Sequence, residues 1–366
     1  MADDNQRTLA TGLFLPVANH NWVMSRSGPD DPATFALNLA VTRRAEAMGM
    51  DFVLAQSVWR GHGGDTRFWD DSLECFTTCA ALAAATERIR VVASVMPALY
   101  PPAVAAKMAA TVDDVSGGRF GINLVAGANL REFEQMGVLP PDWPVVKYDY
   151  AAEWLGVVRR LWAEDRVTHR GRWFTLEDCV CGPKPVQRPG PPVVCAGASP
   201  AGMAFTAAHA DHAFVGGRTP EAIATLARDY RAAAEAAGRD LGIYTVTMLV
   251  LAPTLAEAED RIAAYEADPD LDAIADHHGE YSKATAGASL RRDAGDAPPV
   301  WFASRPDPLT PAILVDRLHA LFDAGVDGIL CSAADWGADL DLVEREVLPE
   351  LRRRGIVAPV TGTVSV

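Results

Sequence analysis

Two polar side chains set inside otherwise apolar strands are the first candidates for chemistry. Asn123 lies in Ser116–Gly127, SGGRFGINLVAG, where a Ser-Gly-Gly turn feeds an apolar run that ends in glycine. Ser94 interrupts a β-branched run that ends Ala93-Ser94-Val95-Met96-Pro97. A polar group in such a strand costs energy unless something satisfies it. Each is therefore either bonded to a neighbouring loop or turned toward a ligand. In parallel α/β proteins ligands sit at the carboxyl ends of strands, where irregular residues tend to be functional.

The segment Ser57–Trp69, SVWRGHGGDTRFW, is rich in Gly, Arg and Trp. Trp59 and Trp69 beside Arg60 and the glycines suggest a wall for a flat, anionic ligand, against the plainer reading of a surface loop with aromatic anchors. His62 offers an acid or base, although a solvent-facing loop histidine is the commoner case. Ser199 is a natural N-cap, with Pro200 at the first helical position. The free N–H groups and positive dipole end of that helix make a seat for phosphate. Lys147 and Tyr148 precede another helix, where a cation and a phenol can face the same mouth; surface residues are the default reading. No G-x-S-x-G elbow, H-E-x-x-H or P-loop is present, and no carboxylate pair stands out. A site without its own acids points to a cofactor that carries the chemistry.

The elements that must position these residues alternate almost throughout. Strand-like segments are expected at Leu13–Val17, Phe52–Ala55, Ile89–Val95, Phe120–Val125, Pro192–Ala196, His212–Phe214, Tyr244–Val250 and Gly328–Leu330. Between them fall helical patterns, such as Thr34–Ala47, Val104–Val115, Tyr148–Trp162 and Pro220–Ala237, and a hairpin over Val167–Phe174. About eight βα units predict a single (β/α)8 TIM barrel spanning residues 1–366, with insertions at its carboxyl-terminal face. The competing open, doubly wound sheet lacks a G-x-G-x-x-G after its first strand. Two long segments, 128–146 and 269–307, are expected to be loops over the barrel mouth.

Composition narrows the partners. The chain has 366 residues, 49% hydrophobic and 22% charged, enough apolar material for a full core. A net charge of −15 argues against nucleic acid or an anionic membrane as partner. The six cysteines form no paired CxxC set, and Cys75 and Cys79, one helical turn apart, read as core thiols rather than a metal site. With a polar, acidic start and no long apolar run, the expectation is a cytoplasmic protein with reduced thiols.

Taken together, RGHGGDTRFWD (Arg60–Asp70), KMAATVDDVSGGRFGINLVAG (Lys107–Gly127), EFEQMG (Glu132–Gly137), YDY (Tyr148–Tyr150) and CAGASPAGMAF (Cys195–Phe205) resemble the bacterial-luciferase-like superfamily of flavin-dependent barrel enzymes. Within it they look most like the FMN-dependent pyrimidine monooxygenases, with alkanesulfonate and dimethylsulfone monooxygenases as more distant relatives. The resemblance implies a two-component system. A separate NAD(P)H-dependent flavin reductase supplies reduced FMN, O2 adds to form a flavin peroxide (at N5 in the pyrimidine type), and this attacks an electrophilic carbon of a small substrate such as a cyclic amide. It also implies a homodimer or homotetramer.

Position by position, the resemblance makes Asn123 the strand amide facing flavin and Ser94 the hydroxyl beside the dioxygen pocket. Glu132 becomes a flavin-contacting acid, Lys147 and Tyr148 match an Arg-Tyr pair of the FMN site, and Ser199 a serine that binds FMN. Ser57 and Val58 match an Ile-Lys pair lining the flavin. Three departures fall on the substrate side. Val58 replaces the lysine, leaving Trp59 and Arg60 beyond it. GANLREF stands where those enzymes read GWQKPEY, so Ala128 replaces a bulky aromatic. A threonine-rich turn becomes Met96-Pro97-Ala98-Leu99-Tyr100. Two alternatives keep the barrel: a deazaflavin-dependent hydride-transfer enzyme, and a non-catalytic flavin-binding barrel.

Overall fold

A computed structural model of the chain describes residues 7–127, 130–140, 142–197, 199–217, 219–284 and 300–360. Its strands are β1 (Ala10–Phe14), β2 (Phe52–Ala55), β3 (Arg90–Val95), β4 (Phe120–Leu124), the hairpin pair β5 (Val167–Arg170) and β6 (Thr175–Cys179), then β7 (Val193–Cys195), β8 (His212–Val215), β9 (Gly242–Leu249) and β10 (Gly328–Ala333). All but β5 and β6 close a parallel barrel in the order β1-β2-β3-β4-β7-β8-β9-β10, with β10 returning to β1. The antiparallel pair β5-β6 stands apart as its own small sheet. The expected (β/α)8 barrel is therefore the fold.

Alternation along the strands sets the two faces. Phe52, Leu54, Val92 and Leu330 pack with Phe14, Phe214 and Tyr244 in the barrel interior. Their neighbours Val53, Val91, Ala93, Ile122 and Ile329 face outward into the large core beneath the helices. In chain order the helices to this point are α1 (Phe35–Ala47), α2 (Cys75–Ala84), α3 (Pro102–Val115), α4 (Leu130–Glu134), α5 (Trp143–Ala163), α6 (Pro200–His209), α7 (Pro220–Ala236) and α8 (Leu255–Glu266). Thr219 and Thr254 cap α7 and α8, the latter through a reciprocal box with Glu257. Cys75 and Cys79 are buried on α2 as free thiols, matching the core reading. No helix among the described residues is long and apolar enough to cross a membrane.

Both segments expected as loops contain helices, which corrects the sequence reading. Within 128–146 lie α4 and the start of α5, which begins at Trp143 and not at Tyr148. Within 269–307 lies α9 (Leu271–Ala284). Its sequence, LDAIADHHGEYSKA, is polar with an internal glycine, so its helical signal is faint. What folds it is tertiary: Ala273 and Ile274 are buried in a second apolar core with Trp22, Met24, Val58, Phe68, Trp69 and Trp301. The chain then runs through α10 (Pro311–Asp323), β10 and α11 (Ala338–Leu342), and a π-helical turn at Val343–Val347 leads into α12 (Leu348–Arg353).

The second core roofs the barrel. Segment 22–25, just past β1, pairs with 300–302 and 269 through the bridges Val23–Trp301 and Ser25–Pro269. Backbone bonds from Met24 to Val300 (2.6 Å) and from Phe302 to Trp22 (2.9 Å) complete the join. Phe302 lies against Trp69 and Trp22, with ring centroids 4.3 and 5.5 Å apart, and Trp22 against Phe14 at 4.9 Å. Burying such an aromatic fully contributes roughly 1.5–3 kcal/mol; Trp22 and Trp69 are buried, and Phe14 and Phe302 partly so, which holds polar segments across the mouth.

Candidate active site

Ser94 and Asn123 come together on adjacent strands. They occupy the same register position of β3 and β4, two residues beyond the inward-facing Val92 and next to Val194 of β7. The Asn123 amide Nδ2 donates to Ser94 Oγ at 2.9 Å, and both residues are buried. The Asn123 carbonyl Oδ1 is also buried and has no hydrogen-bond partner among the described residues. A buried amide oxygen left unsatisfied costs about 1–3 kcal/mol, so the site is built for a donor that the protein itself does not provide.

Beside this pair, the β2 end and α4 are bonded together. The Trp59 backbone N–H donates to Glu132 Oε2 at 2.8 Å, and Gln135 Nε2 donates to the Trp59 carbonyl at 2.7 Å. The Trp59 indole in turn donates to Ser57 Oγ at 2.9 Å. Phe133, fully buried, lies against Gly127 and anchors α4 just after β4. Ser57, Trp59 and Arg60 are half-buried and Val58 is buried. Burial pushes the Glu132 carboxyl up to about 7, opposed by the Trp59 N–H.

That shift makes a testable statement about stability. The folded chain keeps a proton that the unfolded chain releases above an ordinary carboxyl pKa, so this contribution is complete at low pH and lost as pH rises through about 7. Glu132→Gln keeps the acceptor for Trp59 and removes the charge. It is expected to narrow the stability gap between pH 5 and pH 8 by about 2–3 kcal/mol. Urea melts at the two pH values measure this; an unchanged gap contradicts it.

On the other side of Asn123, the end of β7 meets the first turn of α6. Ser199 caps that helix, accepting from the Gly202 N–H at 3.1 Å, with Pro200 following. Gly197 and Gly202 touch: a Cβ at Gly197 would lie 2.7 Å from the Gly202 backbone, and one at Gly202 would lie 2.8 Å from Gly197 Cα and 2.5 Å from Tyr148 Oη. Tyr230 Oη donates to the Gly197 carbonyl and pins this turn. Lys147 stands over the Tyr148 ring, its Nζ 5.3 Å from the centroid. Burial lowers the Lys147 pKa and raises that of Tyr148, with the Ser199 hydroxyl opposing the latter. A helix N-terminus, a hydroxyl, a phenol and an ammonium thus gather beside an amide whose Oδ1 has no partner among the described residues, a donor set that fits a phosphate-bearing flavin.

The substrate-side candidates separate. Trp69 is buried in the roof in a left-handed conformation (φ 63°), its indole donating to the Asn21 carbonyl at 2.5 Å. His62 is not the solvent-facing loop residue that its neighbours suggest. It is buried, with Nδ1 3.1 Å from Asp276 and Nε2 3.4 Å from His277 Nδ1. Ala128 lies outside the described residues. Sequence reasoning missed Asp276, His277, Arg131 and the Gly197–Gly202 contact. The first two stand in a segment read as loop, where only the doubled His277-His278 hinted at a role. Arg131 and the glycines carry no spacing signal.

Comparison with known proteins supplies the family. Residues 10–327 match the model of the luciferase-like monooxygenases. The pyrimidine monooxygenase RutA of Klebsiella variicola (strain At-22) is 38% identical over 370 residues, covering 97% of this chain and 99% of that protein. Among solved structures, riboflavin lyase RcaE, described with modified FMN and riboflavin, superposes with a TM-score of 0.83 at 20% identity over 98% of this chain and 94% of that one. The long-chain alkane monooxygenase LadA does so at 0.81 and 18% identity, over 96% and 93%. The chain belongs to the luciferase-like monooxygenase family, and it is a flavin-dependent monooxygenase.

Proposed function

We propose that this chain is the oxygenase of a two-component system that uses reduced FMN and O2 to oxygenate a small, pyrimidine-like or cyclic amide substrate. The observation that carries the reading is the buried Asn123 amide, bonded to Ser94 and holding an unmet acceptor at the carboxyl end of β4. When bound, reduced FMN supplies the electrons that activate dioxygen for transfer of one oxygen atom. Asn123 and Ser94 orient oxygen and polarise the flavin edge by hydrogen bonding. Ser57, Val58 and Glu132 line the ring system. Lys147, Tyr148, Ser199 and the α6 N-terminus hold the phosphate, as their gathering at one turn favours.

The chain's own residues also keep water out. The roof of Trp22, Trp69 and Phe302 closes the mouth above β1 and β2, and a reactive oxygenating species needs such shielding. Trp59 and Arg60 face the substrate in this reading. Val58 and the Met96–Tyr100 turn depart from the pyrimidine-type pattern there, so the substrate is expected to differ from uracil in shape. The partner is a flavin reductase that delivers reduced FMN by diffusion, and the oxygenase works in the cytoplasm as a homodimer or homotetramer.

The test is mass spectrometry of a reaction containing the protein, a flavin reductase, NADH, FMN and ¹⁸O₂, with uracil heading a panel of cyclic amides, sulfones and sulfonates. One ¹⁸O atom in an amide-derived product is the expected result. Label only in a sulfone or sulfonate product moves the substrate class. No label in any product, with intact FMN binding, overturns the oxygenase reading.

A further inference from the structure

The roof contains a chain of hydrogen bonds that does not balance with neutral histidines. From α9, Asp276 Oδ2 lies 3.1 Å from His62 Nδ1, and its Oδ1 is paired with Arg131 of α4. His62 Nε2 lies 3.4 Å from His277 Nδ1, and His277 Nε2 lies 3.2 Å from the Phe302 carbonyl oxygen. Both ends of the chain, a carboxylate and a carbonyl, accept hydrogen bonds. Three contacts therefore need three N–H protons, whereas two neutral imidazoles carry only two. Giving each histidine one proton always leaves two acceptors facing each other at one of the three contacts.

We infer that Asp276, His62 and His277 form a proton-dependent clasp, in which one extra proton shared by the two imidazoles fastens α9 to the β2 loop and α4 across the barrel mouth. The Arg131 guanidinium pairs with Asp276 Oδ1, so the extra proton is placed on the histidines. Among the described residues, the other charged and titratable groups nearby are His278 on α9, Asp270 just before it, Glu132 on α4, and Asp70 and Arg67 on the loop carrying His62. Asp270 is already committed, accepting from the Thr66 N–H and hydroxyl at 2.7 Å each and leaving no room for a Cβ at Gly64. Asp70 accepts from the Gly63 N–H, and Glu132 from the Trp59 N–H. The fastened roof binds one more proton than the open one, so closure is favoured as pH falls and weakens as pH rises.

Asp276 and His62 are thus positioning residues. Arg131 adjoins Glu132 and also binds Asp276, so the clasp reaches the site through α4. That the clasp shelters a flavin rests on the function proposed above; the clasp itself does not, and it can be tested on the apo chain.

The experiment is hydrogen exchange of the α9 and 57–72 amides from pH 6 to pH 9, corrected for intrinsic rate, with β3 and β4 amides as the internal reference for folding. In the natural chain, protection of both segments is expected to fall with rising pH by up to tenfold per pH unit, the limit for one proton. Asp276→Asn is the diagnostic variant. Its amide can accept from Arg131 through Oδ1 and donate to His62 through Nδ2, which completes the chain with two neutral imidazoles. It should keep the roof protected and abolish the pH dependence. His62→Phe should leave both segments poorly protected at every pH. A pH-independent natural chain, or an Asp276→Asn protein that retains the slope, overturns the inference. Neither outcome touches FMN binding or ¹⁸O incorporation, so failure of the clasp and failure of the oxygenase reading are told apart.

Discussion

Asn123→Ala is expected to lower turnover about 30- to 1,000-fold while leaving FMN affinity nearly unchanged. The magnitude follows from removing one preorganised hydrogen-bonding amide from the place where charge develops, about 2–4 kcal/mol in the transition state. The side chain has little to do in the resting protein. Its Nδ2 bonds only Ser94, and its buried Oδ1 is unpartnered among the described residues. Truncation removes that unsatisfied acceptor, so the melting temperature should hold or rise. A merely structural asparagine predicts the opposite pattern, a loss of stability with little change in turnover. Ser94→Ala supplies the second arm of a double-mutant cycle. Because the two side chains are bonded to each other, their effects on turnover should be markedly less than additive. Full additivity, or unchanged turnover in the Asn123 variant, removes the pair from the chemistry.

The second large effect concerns the phosphate end. Gly202→Val is expected to weaken FMN binding by at least about a hundredfold, because the new Cβ would press on the Gly197 Cα at 2.8 Å and on Tyr148 Oη at 2.5 Å. The tyrosine can swing away; the backbone contact cannot relax without separating α6 from the end of β7. That movement withdraws the helix N–H groups, Ser199 and Tyr148 together. Lys147→Met tests the charge alone: losing one charge-assisted bond of about 1.5–3 kcal/mol predicts a ten- to hundredfold weaker complex. Its affinity should also respond less to salt than that of the natural chain. Quenching of flavin fluorescence on titration measures all three proteins. Natural affinity in the Gly202 variant, with α6 still folded, places the phosphate elsewhere.

Local chemistry made much of this protein legible in its residues. The barrel could be read because eight short β-branched runs alternate with amphipathic helices whose caps are local, such as Ser199-Pro200 and Thr219-Pro220. Asn123 and Ser94 could be picked out because a polar side chain in an apolar strand is anomalous on its face. The structure then brings them to one register position of the neighbouring strands β3 and β4. Resemblance to known flavin enzymes added Glu132, which carries no signal of its own, and gave Lys147 and Tyr148, otherwise read as surface residues by default, an expected place in the FMN site.

Other features had no local cause to read. Helix α9 has a weak, polar pattern and folds because Ala273 and Ile274 are buried against Trp22, Trp69 and Trp301, residues brought from the ends of other segments. His62 looked like a loop histidine because its glycine-rich neighbours say nothing about Asp276 and His277, more than two hundred residues away in sequence. The closeness of Gly197 to Gly202 depends on where α6 docks, which Tyr148 and Tyr230 decide. The sequence alone determined the barrel, the strand-borne polar pair and the capped helix end, because these arise from periodicity and from bonds between near neighbours. Only the tertiary structure decided the roof, the protonated clasp and the ionisation of Glu132, because burial and long-range hydrogen bonding exist only once distant segments are packed together.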